Sequence, residues 1–254
     1  MLFSFYTNEK IQFDEFNKIP VAQHKGDDIV NLAKAFLNKP YTAHFLEKKP
    51  EHLIISFDHV DCVTLVENIL ALHLVRTMKG DFDNFQEKLS IIRYRNAQIG
   101  GYASRLHYLS EWLLNLEQRK IMTNVTSTYK HYKTINKPIN YVSSHPKMYH
   151  FDNIKDDLII FKDIERSFSS KPVDYLPKNE IIENFNQFKN GDLVAIRSSI
   201  RGLDYAHLGI IYFKNGAPHL IHASSQLHKV VISSENLNEY LAKNKQMIGI
   251  SVYR

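Results

Sequence analysis

Apolar residues recur at helical spacing in the first half of the chain and at strand spacing in its last quarter. From Asp27, positions Ile29, Val30, Ala33, Phe36 and Leu37 share one helical face, and the segment ends before Pro40. The pattern predicts a second helix over 61–78 with Val63, Val66, Ile69, Leu70 and Val75 inward. A third is predicted over 102–116, where Leu106, Leu109, Trp112, Leu113 and Leu116 line one side. Residues 122–189 carry Pro138, Pro146, Pro172 and Pro177 and no long periodic stretch, which predicts loops and short elements, one wall of a cleft. From Asp192 the runs DLVAIR, HLGIIYF, HLIHAS and KVVIS read as strands, with a turn at Lys214-Asn215-Gly216. A helix in ENLNEYLAK and a last strand in MIGISVY close the chain. Helices first and a meandering antiparallel sheet afterwards make an α+β class. With no repeat and no Gly/Ser linker, residues 1–254 are expected to form one domain, 1–26 being an N-terminal extension.

Composition narrows the possibilities. A hydrophobic content of 44% in 254 residues supports a substantial core. The net charge of +5 comes from lysines scattered without blocks, which argues against a nucleic-acid partner and suits a small anionic substrate. The start, MLFSFYTNEKIQFDEF, meets Glu9, Lys10 and Asp14 before an export-signal core can form, so the chain as written reads as cytoplasmic. No apolar run approaches the roughly 18 residues of a membrane span. A soluble monomer is expected. The single cysteine excludes an internal disulfide.

That cysteine, Cys62, falls at the predicted start of the second helix, after Asp61, a good N-cap type. Free backbone N–H groups and the helix dipole favour a thiolate there, which predicts a thiol pKa below the ~8.5 of a free cysteine. A nucleophilic thiol is one reading; a small buried hydrophobe is the other.

With 13 histidines in the chain, proximity to a motif selects nothing, but strand geometry does. If Asn215-Gly216 is a two-residue turn, Lys214 faces Ala217 and His222 lies opposite Gly209. His207 shares the face of Gly209, so His207 and His222 become diagonal neighbours roughly 7 Å apart in backbone position. His219 falls on the opposite face. The pair reads as an imidazole base with its orienting partner, as polar residues on a solvated strand face, or as zinc ligands, although no H-E-x-x-H and no second cysteine accompany it.

Asp61-Cys62 opening a helix, His207-Leu-Gly-Ile opening a strand and Ile221-His222-Ala-Ser ending the next together resemble the NlpC-type branch of the papain-like cell-wall hydrolases. Over KPYTAHFLE, FDHVDCVTLVENILAL, IRYRNAQIGGYASRLHYLSEWL, YLPK and GDLVAIRSSIRGLDYAHLGIIY the chain is similar to the N-acetylmuramoyl-L-alanine amidase-like subgroup. The resemblance implies a papain-like fold, with the helix-start cysteine packed on a mostly antiparallel sheet. It implies Cys62 as nucleophile, His207 as base and His222 as orienter, with no metal or cofactor. Tyr41 is implied to lie beside the nucleophile. Asp61, Ser104, Arg105, His107 and Tyr108 complete the expected substrate-binding set, with Arg105 suited to a substrate carboxylate. The implied partner is a muropeptide or peptidoglycan fragment, the implied reaction is hydrolysis of the muramoyl-to-L-alanine amide, anhydro forms included, and the implied location is the periplasm or cell envelope. An endopeptidase cutting between L-alanine and D-glutamate and a non-catalytic muropeptide-binding module are the alternatives.

Overall fold

The computed structural model describes residues 6–254. The first half supplies helices α1 (Thr7–Asn17), α2 (Lys25–Ala35), α3 (Cys62–Thr77), α4 (Phe82–Arg93) and α5 (Leu109–Gln118). The short α6 (Tyr141–Ser144), α7 (Ile154–Ser169) and α8 (Leu237–Ala242) follow. Strands β1 (Lys133–Ile135), β2 (Val173–Pro177), β3 (Leu193–Ser198), β4 (Tyr205–Lys214), β5 (Ala217–Ser224), β6 (Lys229–Ile232) and β7 (Met247–Tyr253) form an antiparallel sheet in the order β1-β2-β7-β3-β4-β5-β6. The class is α+β, as the pattern implies. The strands are not a simple meander, because β7 inserts between β2 and β3. Its Ile250 and Val252 face one core while Tyr253 faces the other, and a strand buried on both sides belongs inside the sheet.

Alternation along the strands builds two cores. Leu193, Ala195, Leu208, Ile210, Ile221 and Ala223 face the helices of the first half, against Leu32, Leu65, Ile69 and Trp112. Val194, Ile196, Ile211 and Leu220 face the opposite side, closed by Leu237 and Leu241 of α8 with Ile181 and Phe188. Helix α3 is the central element of the first core. A buried ion pair from Glu67 to Arg93 of α4 at 2.7 Å and a hydrogen bond between His73 Nδ1 and Asp28 of α2 at 2.7 Å hold it.

Three expectations change. The segment 1–26 is not a mere extension: Phe13 and Phe16 of α1 pack into the first core, Phe16 stacked on Phe36 at 4.6 Å. The leading MLFSF lies outside the described residues. The third helix begins at Leu109 and not at 102. Its N-cap residue, Tyr108, has no capping side chain; Asp204, far along the chain, accepts from the Ser110 N–H at 2.6 Å. A cap supplied from that distance leaves no local signal. Finally, the irregular middle holds the 16-residue helix α7, anchored by Phe161 and capped by Asn153. Its exposed Ile154, Ile159 and Ile160 blur the apolar period that would have revealed it.

Candidate active site

Cys62 is the first residue of α3, and Asp61 caps the helix with one carboxylate oxygen. Oδ1 of Asp61 accepts from the N–H groups of Val63 and Thr64 at 3.0 and 2.8 Å and from the Thr64 hydroxyl at 2.9 Å. That hydroxyl accepts in turn from the Asp61 N–H, closing a capping box. Asp61 was expected among the substrate contacts; Oδ1 is instead committed to starting the helix that carries the thiol.

The sheet opens where the thiol sits. The β4–β5 ladder runs from Lys214↔Ala217 at the turn to Ile210↔Ile221. The N–H of Ile211 points toward β3, bonding Asp192, so by the two-residue period the N–H of Leu208 points toward β5. Past the end of the ladder that N–H lies near the Cys62 sulfur and favours its charged form. The start of α3 thus plugs the gap between two diverging strands, one residue from His207.

The electrostatics of the thiol reverse the sequence expectation. The N–H groups of Leu208, Cys62 and Val63 favour a thiolate, as a helix start should. Burial of the sulfur and the neighbouring Asp61 carboxylate outweigh them and push the thiol up to about 12. Near neutrality Cys62 is therefore a protonated thiol.

The hairpin places the imidazoles as its turn requires. Asn215 and Gly216 both have positive φ, 53° and 79°, the geometry of a two-residue turn matched to the strand twist. His207 Nε2 and His222 Nδ1 share a hydrogen bond of 2.8 Å, with the rings perpendicular. Gly209 makes the approach possible: a Cβ there would lie 3.1 Å from Leu220 Cδ2 and 3.5 Å from the His222 Cβ. Burial pushes the His207 imidazole down to about 3, assisted by His222, and the His222 imidazole down to about 4. Thiol and both imidazoles are thus neutral in the resting protein. His219, on the other face, is buried and bonds the Ser233 carbonyl through Nδ1 at 2.9 Å.

Two tyrosines, Tyr41 and Tyr240, lie near enough for the ionised form of Cys62 to raise their phenols. Tyr41 is held between β6 and the approach to α3, its N–H donating to the His228 carbonyl at 3.0 Å while Thr42 N–H donates to Val60 at 3.0 Å. Burial raises its phenol, and the Cys62 and Asp61 charges raise it further, so it stays protonated beside the thiol. Tyr240 of α8, which the sequence reading passed over, lies against both imidazoles, its ring centroid 5.2 Å from His222 and 6.4 Å from His207. A lone tyrosine in a short amphipathic helix carries no sequence signal for this.

The segment 104–108 does not form the expected substrate patch. It precedes α5, and its polar groups are turned inward. Ser104 Oγ donates to the Gly101 carbonyl and accepts from the Gly100 N–H. Arg105 is buried, pairing with Glu47 at 2.9 Å and Glu51 at 3.6 Å, so it is not free to clamp a carboxylate. His107 Nε2 bonds the Tyr102 carbonyl at 2.9 Å, and burial holds its imidazole down to about 3. Buried Tyr108 donates to Glu165 and accepts from the Val142 N–H, both at 2.7 Å. Ser104 and His107 bond within residues 100–102, whereas Arg105 and Tyr108 find their partners in the loop around Glu47 and in Val142 and Glu165.

One group of possible metal ligands, which the sequence did not suggest, occurs among the described residues: His131, Glu180 and Glu183, with donor atoms within 4.8 Å of one another. It shares no residue with the thiol and the imidazole pair. Among the described residues, no helix is long and apolar enough to cross a membrane.

A lone thiol at a helix start and two hydrogen-bonded imidazoles on an antiparallel hairpin are the features this α+β fold brings to one region. The chain belongs to the AmiA-like family, described as N-acetylmuramoyl-L-alanine amidase-like, which residues 31–250 match. Among solved structures it is similar to an N-acetylmuramoyl-L-alanine amidase from Bacteroides uniformis, at 38% identity over 91% of this chain and 98% of that one, with a TM-score of 0.86. A Bacteroides fragilis protein provisionally called a xylanase is 36% identical over 88% of this chain and 98% of that one, with a TM-score of 0.83. A Legionella pneumophila protein shares the fold at 22% identity over 97% and 93% of the chains, TM-score 0.72. No curated protein matches at a significant level. The family is one of amidase-like peptidoglycan hydrolases.

Proposed function

We propose that the protein is a cysteine amidase of the papain-like kind that hydrolyses the amide between N-acetylmuramic acid, anhydro forms included, and L-alanine in peptidoglycan fragments. What supports this reading is the His207 Nε2–His222 Nδ1 hydrogen bond, carried on the strand residue next to Leu208, whose N–H lies near the Cys62 sulfur. His207 Nδ1 is then the nitrogen left to take a proton.

In this mechanism the proton of the Cys62 thiol moves to His207 Nδ1 as sulfur bonds to the lactyl carbonyl carbon. The carbonyl π pair moves onto oxygen, and the Cys62 N–H helps hold the oxyanion. His222 accepts from His207 Nε2–H and holds that tautomer while the ring is charged. Collapse breaks the carbon–nitrogen bond, and His207 Nδ1–H protonates the departing L-alanine amine. Water then attacks the thioester, its proton passing to His207; the carbon–sulfur bond breaks, and the thiol recovers its proton.

Starting neutral, the thiol loses its proton only as the bond forms, so the charge pair appears in the transition state, where the N–H groups of Leu208, Cys62 and Val63 reward it. Tyr41 beside the sulfur is assigned to substrate contact. Nucleophile and base come from side chains, so the reading calls for no metal or cofactor, and the chain acts as a monomer on a small muropeptide. Glycoside hydrolysis, suggested by the xylanase label, calls for two facing carboxylates. The centre here is a thiol and two imidazoles, and the adjacent Asp61 spends Oδ1 on the helix cap.

The deciding experiment is mass spectrometry of defined muropeptides incubated with the protein and with Cys62→Ala. Free muramic acid lactyl carboxylate plus a peptide beginning at L-alanine is expected from the unmodified protein alone. Release of a peptide beginning at D-glutamate would replace the amidase by an endopeptidase. Cleavage by Cys62→Ala would remove the cysteine mechanism.

A further inference from the structure

Tyr240 stands in the second core, away from the segments in which the sequence suggested a site. Helix α8 is held tightly for its six residues. Asn236 Oδ1 accepts from the Glu239 N–H and Glu239 Oε2 from the Asn236 N–H, both at 3.1 Å, so the helix has one starting point. Leu237 and Leu241 are fully buried against the sheet face that also carries His207 and His222. With both leucines fixed, the side chain between them has one direction left, over the imidazole pair.

The contacts there are specific. The planes of Tyr240 and His222 meet at 75° with centroids 5.2 Å apart, the edge-to-face geometry that aromatic quadrupoles favour. Against His207 the ring is within 23° of parallel, with centroids 6.4 Å apart. The two imidazoles are themselves perpendicular, at 4.9 Å. Tyr240 therefore packs directly on His222, which in turn holds His207 through the Nε2–Nδ1 hydrogen bond. Burial, with the ionised form of nearby Cys62 adding to it, pushes the Tyr240 phenol up to about 12, so the ring carries no charge of its own near neutrality.

We infer that Tyr240 is a positioning residue of this site: its ring packs edge-to-face on His222 and holds that imidazole, so that the Nε2-to-Nδ1 hydrogen bond persists while His207 carries the proton taken from Cys62. The inference rests on the cysteine amidase reading for its consequence in turnover, but not for its geometry. A charged imidazole gains by turning toward water, and an acceptor fixed in place opposes that turn. The work is done by the ring, and the hydroxyl enters none of these contacts.

The test uses the full chain with Tyr240→Phe, Tyr240→Leu and Tyr240→Ala, compared at equal folded concentration. Tyr240→Phe should keep kcat within about twofold, whereas Tyr240→Leu and Tyr240→Ala should lose roughly 10- to 100-fold in kcat with KM changed less than about threefold, the mark of lost orientation at the reacting groups. Imidazole nitrogen NMR of the substrate-free protein supplies a readout that needs no turnover. The hydrogen-bonded nitrogen pattern of His207 and His222 should survive in Tyr240→Phe and average out in Tyr240→Leu. Tyr240→Leu removes the ring but leaves an apolar side chain that fills most of its place, and circular dichroism establishes the folded fraction of each variant before kcat is compared. Undiminished kcat in Tyr240→Leu, or an unchanged imidazole spectrum, overturns the inference. So does a Phe variant as poor as Ala, which would put the function on the hydroxyl. Failure of the underlying amidase reading shows separately, as activity that survives in Cys62→Ala.

Discussion

The β4–β5 hairpin and the segment 104–108 look alike in composition, each setting histidine and other polar residues among apolar ones, yet the fold treats them in opposite ways. In the hairpin, His222 lies against Gly209 and reaches His207, and the N–H of the adjoining Leu208 lies near the thiol. In the other segment, Arg105 is closed off by Glu47 and Glu51, and Tyr108 is bonded on both sides. What separates a site from a structural network is whether donor and acceptor atoms are already spent. Residue type does not decide it.

The sharpest way to break this contrast is to remove the base. His207→Ala should lower kcat/KM by at least ~10²- to 10⁴-fold, since both thiol deprotonation and amine protonation pass through it. Stopped assays on one muropeptide, with folding checked by circular dichroism, measure this; a loss below tenfold would return the hairpin to the status of a polar surface.

Next comes the opposite expectation for Arg105. Arg105→Met strands the Glu47 and Glu51 carboxylates in a buried place, at a cost of about 3–5 kcal/mol in urea unfolding. KM in the folded fraction should stay constant. A KM raised tenfold with unchanged stability would restore Arg105 as a substrate clamp and erase the contrast.

Smaller effects grade the hairpin itself. His222→Asn, which keeps an oxygen able to accept from His207, should retain kcat to within roughly tenfold, while His219→Ala, on the other face, should keep kcat and lose about 1 kcal/mol with the Ser233 bond. Equal catalytic damage from both would mean the register does not organise the site.

The smallest effect is in acid. Because burial lowers His207 to about 3 and His222 to about 4, the free base persists below the ordinary imidazole range. The acid limb of kcat/KM should therefore fall well below about pH 6. The linked effect on stability has the opposite sense. Below about pH 6.5 the unfolded chain binds protons at His107, His207 and His222 that the folded chain does not, so stability falls as pH drops toward 4. Thermal melts between these limits in wild type and His107→Gln measure it, the variant showing the shallower slope. The same shifted equilibria predict slow alkylation of Cys62 by iodoacetamide at neutral pH, because the thiol is pushed up to about 12.

Local pattern determined those features whose cause is local. The Asn215-Gly216 turn dictates the hairpin register, and two-residue alternation then puts His207 and His222 on one face and His219 on the other. Asp61 before an apolar helical run marks the start of α3 and so the place of Cys62. Tertiary structure decided the rest. The cap that starts α5 comes from Asp204, the partners that silence Arg105 and Tyr108 come from other loops, and the tyrosine over the imidazoles comes from α8. The charge state of the thiol belongs with these. The helix start alone argues for a thiolate, but the cost of burying charge, set by everything packed around the sulfur, outweighs the N–H groups that the sequence places there.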